Sequence, residues 1–120
     1  MNVTKEEITA WLAGILEGEG SFIITKSGRN RYPCISLGMT DYDIIERVGD
    51  VWGKNPSGPY SYKCQSGKQQ TPYWYVRVSG KEAVKWINRI LPFMGNRRRV
   101  KIRELLTIWK QRTIYGKTSL

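Results

Sequence analysis

Apolar residues recur at helical spacing from Ile8 through Trp11, Leu12, Ile15 and Leu16, which predicts a helix over about residues 5–18. Thr4 and Glu7 have the spacing of a capping box, and Gly20 stands where a C-terminal cap belongs. The period then changes. Residues 22–26 and 32–39 read as strands around the loop SGRNR, with Ile35, Leu37 and Met39 on one face and Cys34, Ser36 and Gly38 on the other. Together they predict a hairpin. Thr40 or Asp41 can cap a second helix whose buried stripe is Ile44, Ile45, Val48, Val51 and Trp52, and Gly53 ends it. NPSGP reads as a turn. Strands over about residues 60–64 and 73–79 follow, separated by the polar loop QSGKQQTP. In the last strand Trp74, Val76 and Val78 are expected to face the core, and Tyr73, Tyr75 and Arg77 the open side. Gly80 opens a third helix with Ala83, Val84, Ile87, Ile90 and Leu91 inward, and Pro92 stops it. Asn96 is expected to cap a fourth helix over about residues 97–112. The domain then spans residues 1–113, with a loose tail over 114–120.

The order helix, hairpin, helix, hairpin, helix, helix predicts a single α+β domain. Its four-stranded antiparallel sheet carries helices on one face and a polar, basic surface on the other. No second copy of the opening stretch exists, so there is no internal repeat. A length of 120 residues suits one core. Charge sharpens the picture: 20 Lys and Arg against 10 Asp and Glu give +10, which calls for an anionic partner. Nucleic acid is favoured over a membrane surface. The basic residues alternate with Tyr, Gln, Ser and Thr in predicted strands, and no basic amphipathic helix occurs. No apolar run reaches the length of a membrane span, and MNVTKEE lacks a signal-peptide core. An intracellular protein is expected, cytoplasmic (bacterial or phage-encoded) or organellar.

The chain has no histidine, and its cysteines, Cys34 and Cys64, lack CxxC spacing. Histidine-dependent nucleases, catalytic triads and the usual zinc hydrolases are thereby excluded. Catalysis would have to use carboxylates, Lys or Arg, hydroxyls, or an oxygen-bound metal.

Two anomalies stand out. Ala10, Gly14 and Gly18 form a ridge almost without side chains, although glycine inside a helix costs about 1 kcal/mol relative to alanine. Such a ridge admits close approach of another helix, either from the same chain or, as the acids at its end favour, from a second copy. Ala10, Ala13, Gly14, Glu17 and Gly18 are the expected contact. Moreover, Glu17 and Glu19 sit in the last turn of the first helix, and Arg97, Arg98 and Arg99 in the first turn of the fourth. Each group opposes its own helix dipole. A site in which a divalent cation neutralises the acids and phosphates neutralise the arginines would account for both. Mg²⁺ takes few carboxylates and keeps water and phosphate oxygens, and a metal-bound water needs no histidine to ionise.

LAGILEGEG, Leu12 to Gly20 and followed by Ser21 and Phe22, resembles the nine-residue signature of the LAGLIDADG homing endonucleases. The likeness covers nearly the whole chain, with LPFMGNRRR in the expected place. It implies a homodimer with signature helices at the two-fold axis and two saddle-shaped sheets straddling double-stranded DNA. By the same resemblance Glu19 is the metal-binding carboxylate, Gly18 offers its backbone carbonyl, and Glu17 supports the helix end. Asp41 occupies the place of a polar residue near the attacking water, in competition with an N-cap role. Arg97 or Arg98 stands where the family usually has lysine, which keeps the charge but cannot act as a base.

The open sheet face is then expected to contact DNA. By alternation it carries Ile23, Thr25 and Ser27, then Tyr32, Cys34 and Ser36, extended by Arg29 and Arg31 in the first hairpin loop. The second hairpin adds Lys63, Gln65, Lys68, Gln69, Tyr73, Tyr75 and Arg77. The activity so implied is Mg²⁺-dependent cleavage of both strands of a long, near-palindromic site, with Mn²⁺ or Ca²⁺ able to occupy the same position. It serves the mobility of an intron or a free-standing gene. The alternative is a nucleic-acid-binding module without cleavage, an intron maturase or a transcription regulator. The expected partners are DNA and a second copy, with no membrane and no small-molecule cofactor.

Overall fold

The computed structural model describes residues 3–28, 30–61 and 71–118, with side chains as far as residue 111. Helix α1 (Lys5–Glu19) begins as its capping box requires. Thr4 Oγ1 accepts from the Glu7 N–H at 3.1 Å, and Glu7 Oε1 accepts from the Thr4 N–H at 3.3 Å. Gly20 caps its C-terminus in an extended conformation, φ −78°, instead of a left-handed one. Its missing side chain matters for another reason. A Cβ there would lie 2.8 Å from Leu16, so glycine lets the chain turn directly from helix to strand.

β1 (Gly20–Ser27) and β2 (Asn30–Met39) pair down to Ser27 opposite Asn30. Only residues 28 and 29 lie between the strands, a tighter turn than SGRNR suggested, and Gly28 at φ +62° supplies the left-handed residue it needs. α2 (Tyr42–Trp52) closes on Gly53 at φ +67°. It is followed by β3 (Ser57–Tyr60), β4 (Tyr73–Ser79), α3 (Gly80–Ile90), a 3₁₀ turn (Leu91–Phe93) and α4 (Asn96–Thr118). The sheet order is β1-β2-β4-β3, antiparallel throughout.

One face of this sheet makes the core. Phe22, Ile35, Leu37, Val76 and Val78 pack with Leu12 and Leu16 of α1, Ile45, Val48 and Trp52 of α2, Ile87 and Ile90 of α3, and Ile102 and Leu105 of α4. Ile35 lies opposite Val78 and Leu37 opposite Val76. Each fully buried side chain of this size contributes roughly 1.5–3 kcal/mol. A one-residue slip of β4 against β2 would turn Val76 and Val78 to solvent, which fixes the register.

Several expectations need correction. β3 starts inside the stretch read as a turn. Pro59 is tolerated because β3 is an edge strand with a register shift between Ser57 and Tyr60; the expected strand residues 62–64 lie outside the described residues. On α3 it is Trp86 that joins Ala83, Ile87 and Ile90 in the core, while Val84 and Leu91 are half-buried. Asn96 is the first residue of α4 and not its cap: the carbonyl of Gly95 accepts from the Arg99 N–H at 2.9 Å. The helix continues to Thr118, past the expected end near residue 112. No proline interrupts it there, and one glycine costs only about 1 kcal/mol. Among the described residues no helix is long and apolar enough to cross a membrane.

Candidate functional site: two helix ends and an open sheet face

The end of α1 and the start of α4, 78 residues apart in sequence, meet in space. α1 has no basic residue in its last turn and α4 no acidic one in its first. Each supplies what the other lacks. Glu17 Oε1 accepts from the backbone N–H of Gly95 at 3.1 Å. Arg98 Nη1 donates to the Gly20 carbonyl at 2.7 Å and Nη2 to the Glu17 carbonyl at 3.1 Å. Arg98 Nε lies 3.9 Å from Glu17 Oε2, and the guanidinium sits 5.7 Å from the Phe22 ring centre. A charge suited to a helix end is worth about 0.3–1 kcal/mol at an exposed site. Charges that oppose their own dipoles therefore serve those of their neighbours. Arg98, expected at a phosphate, has one terminal nitrogen on the Glu17 carbonyl of α1 and the other on the carbonyl of Gly20, its C-cap.

Arg99 is likewise occupied, with Nε on the Met94 carbonyl at 2.8 Å and Nη2 on the Pro92 carbonyl at 3.0 Å. Arg97 alone of the three is exposed.

Glu19 is left over. It ends α1, is exposed, and makes no hydrogen bond or ion pair with a described residue. Asp41 stands at the N-cap of α2, where its carbonyl accepts from the Ile44 and Ile45 N–H groups at 3.1 and 3.3 Å. Its carboxylate makes no capping bond, so the competing N-cap role is filled by backbone alone. Glu19 precedes β1 and Asp41 follows β2. Because Gly20 pairs with Leu37, both acids emerge at the same end of the hairpin. Among the described residues no three His, Cys, Asp or Glu side chains gather to hold a metal. Glu19 and Asp41 are hard oxygen donors, of the kind that suits Mg²⁺ or Ca²⁺.

The ridge on α1 is uncovered. Ala10, Gly14 and Gly18 are exposed, and a Cβ at either glycine would meet nothing within 4 Å. No helix of the described chain packs there. Ala13 is a correction: at 2% exposure it belongs to the protomer's own core and cannot form part of a contact with a second copy.

On the open sheet face Ile23, Ser27 and Arg77 are exposed, with Thr25, Tyr32, Ser36, Tyr73 and Tyr75 half-buried among them. Thr25 lies opposite Tyr32, and Ser36 opposite Arg77. Cys34 is on the expected face but 2% exposed, buried beneath its neighbours and unable to touch a ligand. Burial pushes its thiol pKa up, against a hydrogen bond with Thr25 and the charge of Arg77. Arg31 belongs to β2 and not to a loop. It pairs with Lys26, and alternation puts both on the helix side of the sheet, exposed at the hairpin tip. Arg29, Lys63, Gln65, Lys68 and Gln69 lie outside the described residues.

The second hairpin adds a residue that the alternation did not single out. Tyr60 stacks on Tyr75 at 5.5 Å between ring centres and 16° between planes, and tilts against Tyr73 at 5.7 Å. The expected strand began at Tyr60, but its place opposite Tyr73 follows only from the observed register. The Arg77 guanidinium lies 4.7 Å over the Tyr75 ring. Hydrogen bonds from Tyr60 and then Ser57 lower the Tyr75 phenol pKa, and the bond to Tyr75 raises that of Tyr60. A guanidinium stacked in this way loses little freedom on contact, and its planar fork matches the two acceptors of a guanine edge.

The model of the LAGLIDADG-like domain matches residues 6–92. The chain belongs to the LAGLIDADG family. Solved structures show the same fold. The homing endonuclease I-CvuI, in complex with its target in the presence of calcium, superposes with a TM-score of 0.64 at 18% identity, covering 95% of this chain and 73% of that one. The archaeal intron-encoded homing endonuclease I-Vdi141I, complexed with DNA, gives 0.53 at 14% identity, covering 92% and 84%. The LAGLIDADG homing endonuclease I-GzeII, in complex with a DNA target, gives 0.55 at 18% identity, covering 100% of this chain but 40% of that one. A search of curated proteins finds no match.

Every position of this chain's LAGLIDADG signature now has a place. Leu12, Ala13 and Leu16 fill the core, and Ile15 packs against it. Gly14 and Gly18 line the bare ridge, Glu17 holds α4, Glu19 is exposed with no bond to a described residue, and Gly20 admits the turn into β1.

Proposed function

We propose that this LAGLIDADG protein is a homodimeric, divalent-metal-dependent endonuclease that cuts both strands of a long, near-palindromic DNA site. The observation that carries the reading is the pairing of a glycine ridge with a Glu19 at its end, both without partners among the described residues. Two ridges packed on each other would bring two such carboxylates together and complete a donor set that one chain lacks. The DNA-bound relatives and the net charge of +10 support a polyanionic substrate. Coverage of only 40% of the I-GzeII chain leaves room there for a second unit of this size, as a dimer of short chains would need.

In this reading Glu19 and the Gly18 carbonyl would hold Mg²⁺, for which Mn²⁺ or Ca²⁺ could substitute. A divalent ion bound there would acidify water and stabilise phosphate oxyanions. Asp41, at the same end of the hairpin, would orient the attacking water. Arg97 offsets phosphate charge without exchanging a proton, because guanidinium stays ionised. The sheet face holds the duplex, with Arg77 reading a base edge and serine and threonine hydroxyls on phosphates. The protein would act in whichever compartment holds its target DNA, in the mobility of an intron or a free-standing gene.

The test is a cleavage selection on a randomised duplex library with Mg²⁺. Recovery of one family of sites, each cut on both strands at positions related by two-fold symmetry, is the expected result. Enrichment of a bound sequence that is never cut, with Mg²⁺ or Mn²⁺, would establish the binding module instead.

A further inference from the structure

We infer that Arg98 is a positioning residue: it sets the backbone on either side of Gly18 and Glu19, and so fixes where the Glu19 carboxylate points. The inference rests on the endonuclease reading of that carboxylate. Its structural half, a clamp on the end of α1, stands on the geometry alone.

The end of α1 needs such a clamp. The Gly20 N–H takes the Leu16 carbonyl, but the carbonyls of residues 17–20 have no intrahelical partner, and Gly18 inside the final turn permits more backbone conformations than any other residue. No basic residue of α1 itself is at hand. The turn into β1 at Gly20 is extended, so it lacks the paired bonds by which a left-handed cap satisfies those carbonyls. A single guanidinium closes the gap. Nη1 on the Gly20 carbonyl and Nη2 on the Glu17 carbonyl bracket residues 18 and 19, leaving those two residues spanned from both sides.

Arg98 is in turn held by the acid at the near end of the bracket. Arg98 Nε and Glu17 Oε2 are both buried without a hydrogen-bond partner and face each other at ion-pair distance, 3.9 Å. The other Glu17 oxygen binds the Gly95 N–H, so α4 is the fixed wall against which the end of α1 is set. Lysine in place of Arg98 would keep the charge but could not span two carbonyls in one plane. Arg98 itself does not reach toward solvent: its side chain is 18% exposed, against 40% for that of Glu17.

Arg98→Lys tests the inference. Two measurements need neither metal nor activity: hydrogen exchange of the amides at residues 18–21, and the thermal midpoint. Two others use the assembled complex: affinity for the selected DNA site in Ca²⁺, and single-turnover cleavage across a Mg²⁺ titration. Faster exchange at residues 18–21 is expected, with DNA affinity unchanged. Cleavage should be slower by about 10- to 100-fold, with a raised Mg²⁺ requirement, the size of loss seen when an outer support of a metal ligand is removed. A wild-type rate and Mg²⁺ requirement would overturn the positioning role, as would a loss of DNA affinity in step with the rate, which would make Arg98 a phosphate contact. Should Arg98→Lys fail to fold, Glu17→Gln replaces it. That variant keeps an acceptor for the Gly95 N–H and removes the charge beside Nε, so it should show a smaller shift of the same kind; an unshifted Mg²⁺ requirement overturns the inference. Glu19→Gln separates this result from the parent reading. If that variant still cuts, the endonuclease site is wrong whatever Arg98 does. If it does not cut while Arg98→Lys behaves as wild type, only the positioning role fails.

Discussion

Where α1 meets α4, a few polar groups answer one another across the chain and the Glu19 carboxylate has no partner among the described residues. Across the open sheet face, by contrast, half-buried tyrosines, threonine and serine with an exposed arginine spread over three strands, and none stands apart. The first region concentrates its consequence in one side chain. The second distributes it, so that no single loss should be decisive. Chemistry at one fixed point needs the first arrangement, and recognition of a long polymer needs the second.

The sharpest way to break this contrast is Glu19→Gln. It should reduce single-turnover cleavage by about three orders of magnitude or more, the several kcal/mol a metal supplies, with DNA affinity nearly intact. Residual cleavage near wild type would show that the junction is not decisive. Next comes Gly14→Leu, which should weaken self-association by about 2 kcal/mol or more, a hot-spot-sized loss. The protomer should still fold, since the new side chain enters open space. A dimer that persists in sedimentation velocity would remove the ridge as an interface. On the sheet face Arg77→Ala should cost about 1–3 kcal/mol and relax preference at one position per half-site. Equal weakening on all sequences, with a shallower salt dependence, would make it a phosphate contact.

The smallest effect is spectroscopic. Tyr75 ionises below the usual phenol range because Tyr60 and Ser57 stabilise its phenolate. Tyr60→Phe removes the larger cause, so the Tyr75 transition should move up in pH in an absorbance titration, while cleavage near neutral pH stays unchanged. A stationary Tyr75 transition would mean that the tyrosines act singly and not as a network.

Much of the fold was legible in the sequence because its periods are strong. β4 occupies the expected residues 73–79, and α1 differs by one residue at its end. β3 was misread because Ser-Gly-Pro has the composition of a turn, while the rule that admits proline at a sheet edge applies only once the strand order is known. Alternation placed Cys34 on a face correctly but says nothing of depth, and its neighbours cover it. The helical wheel put Ala13 beside the ridge, yet whether a boundary residue falls inward depends on the elements packed below. At the site, the signature pointed to Glu19. The dipole argument rightly found Glu17 and Arg98 anomalous and then sought partners outside the chain. A sequence shows that a helix ends in acid. It does not show that another helix begins 78 residues later within reach of it.

The three glycines closing the signature answer to different judges. A side chain at position 20 collides with Leu16 inside the same molecule, whereas at 14 or 18 it meets empty space. In a saturation library read once for cellular abundance and once for dimer formation, substitutions at 20 should vanish from both pools. Those at 14 should survive the first and drop out of the second. One short motif would thus record, letter by letter, which of its residues are kept for folding and which for company.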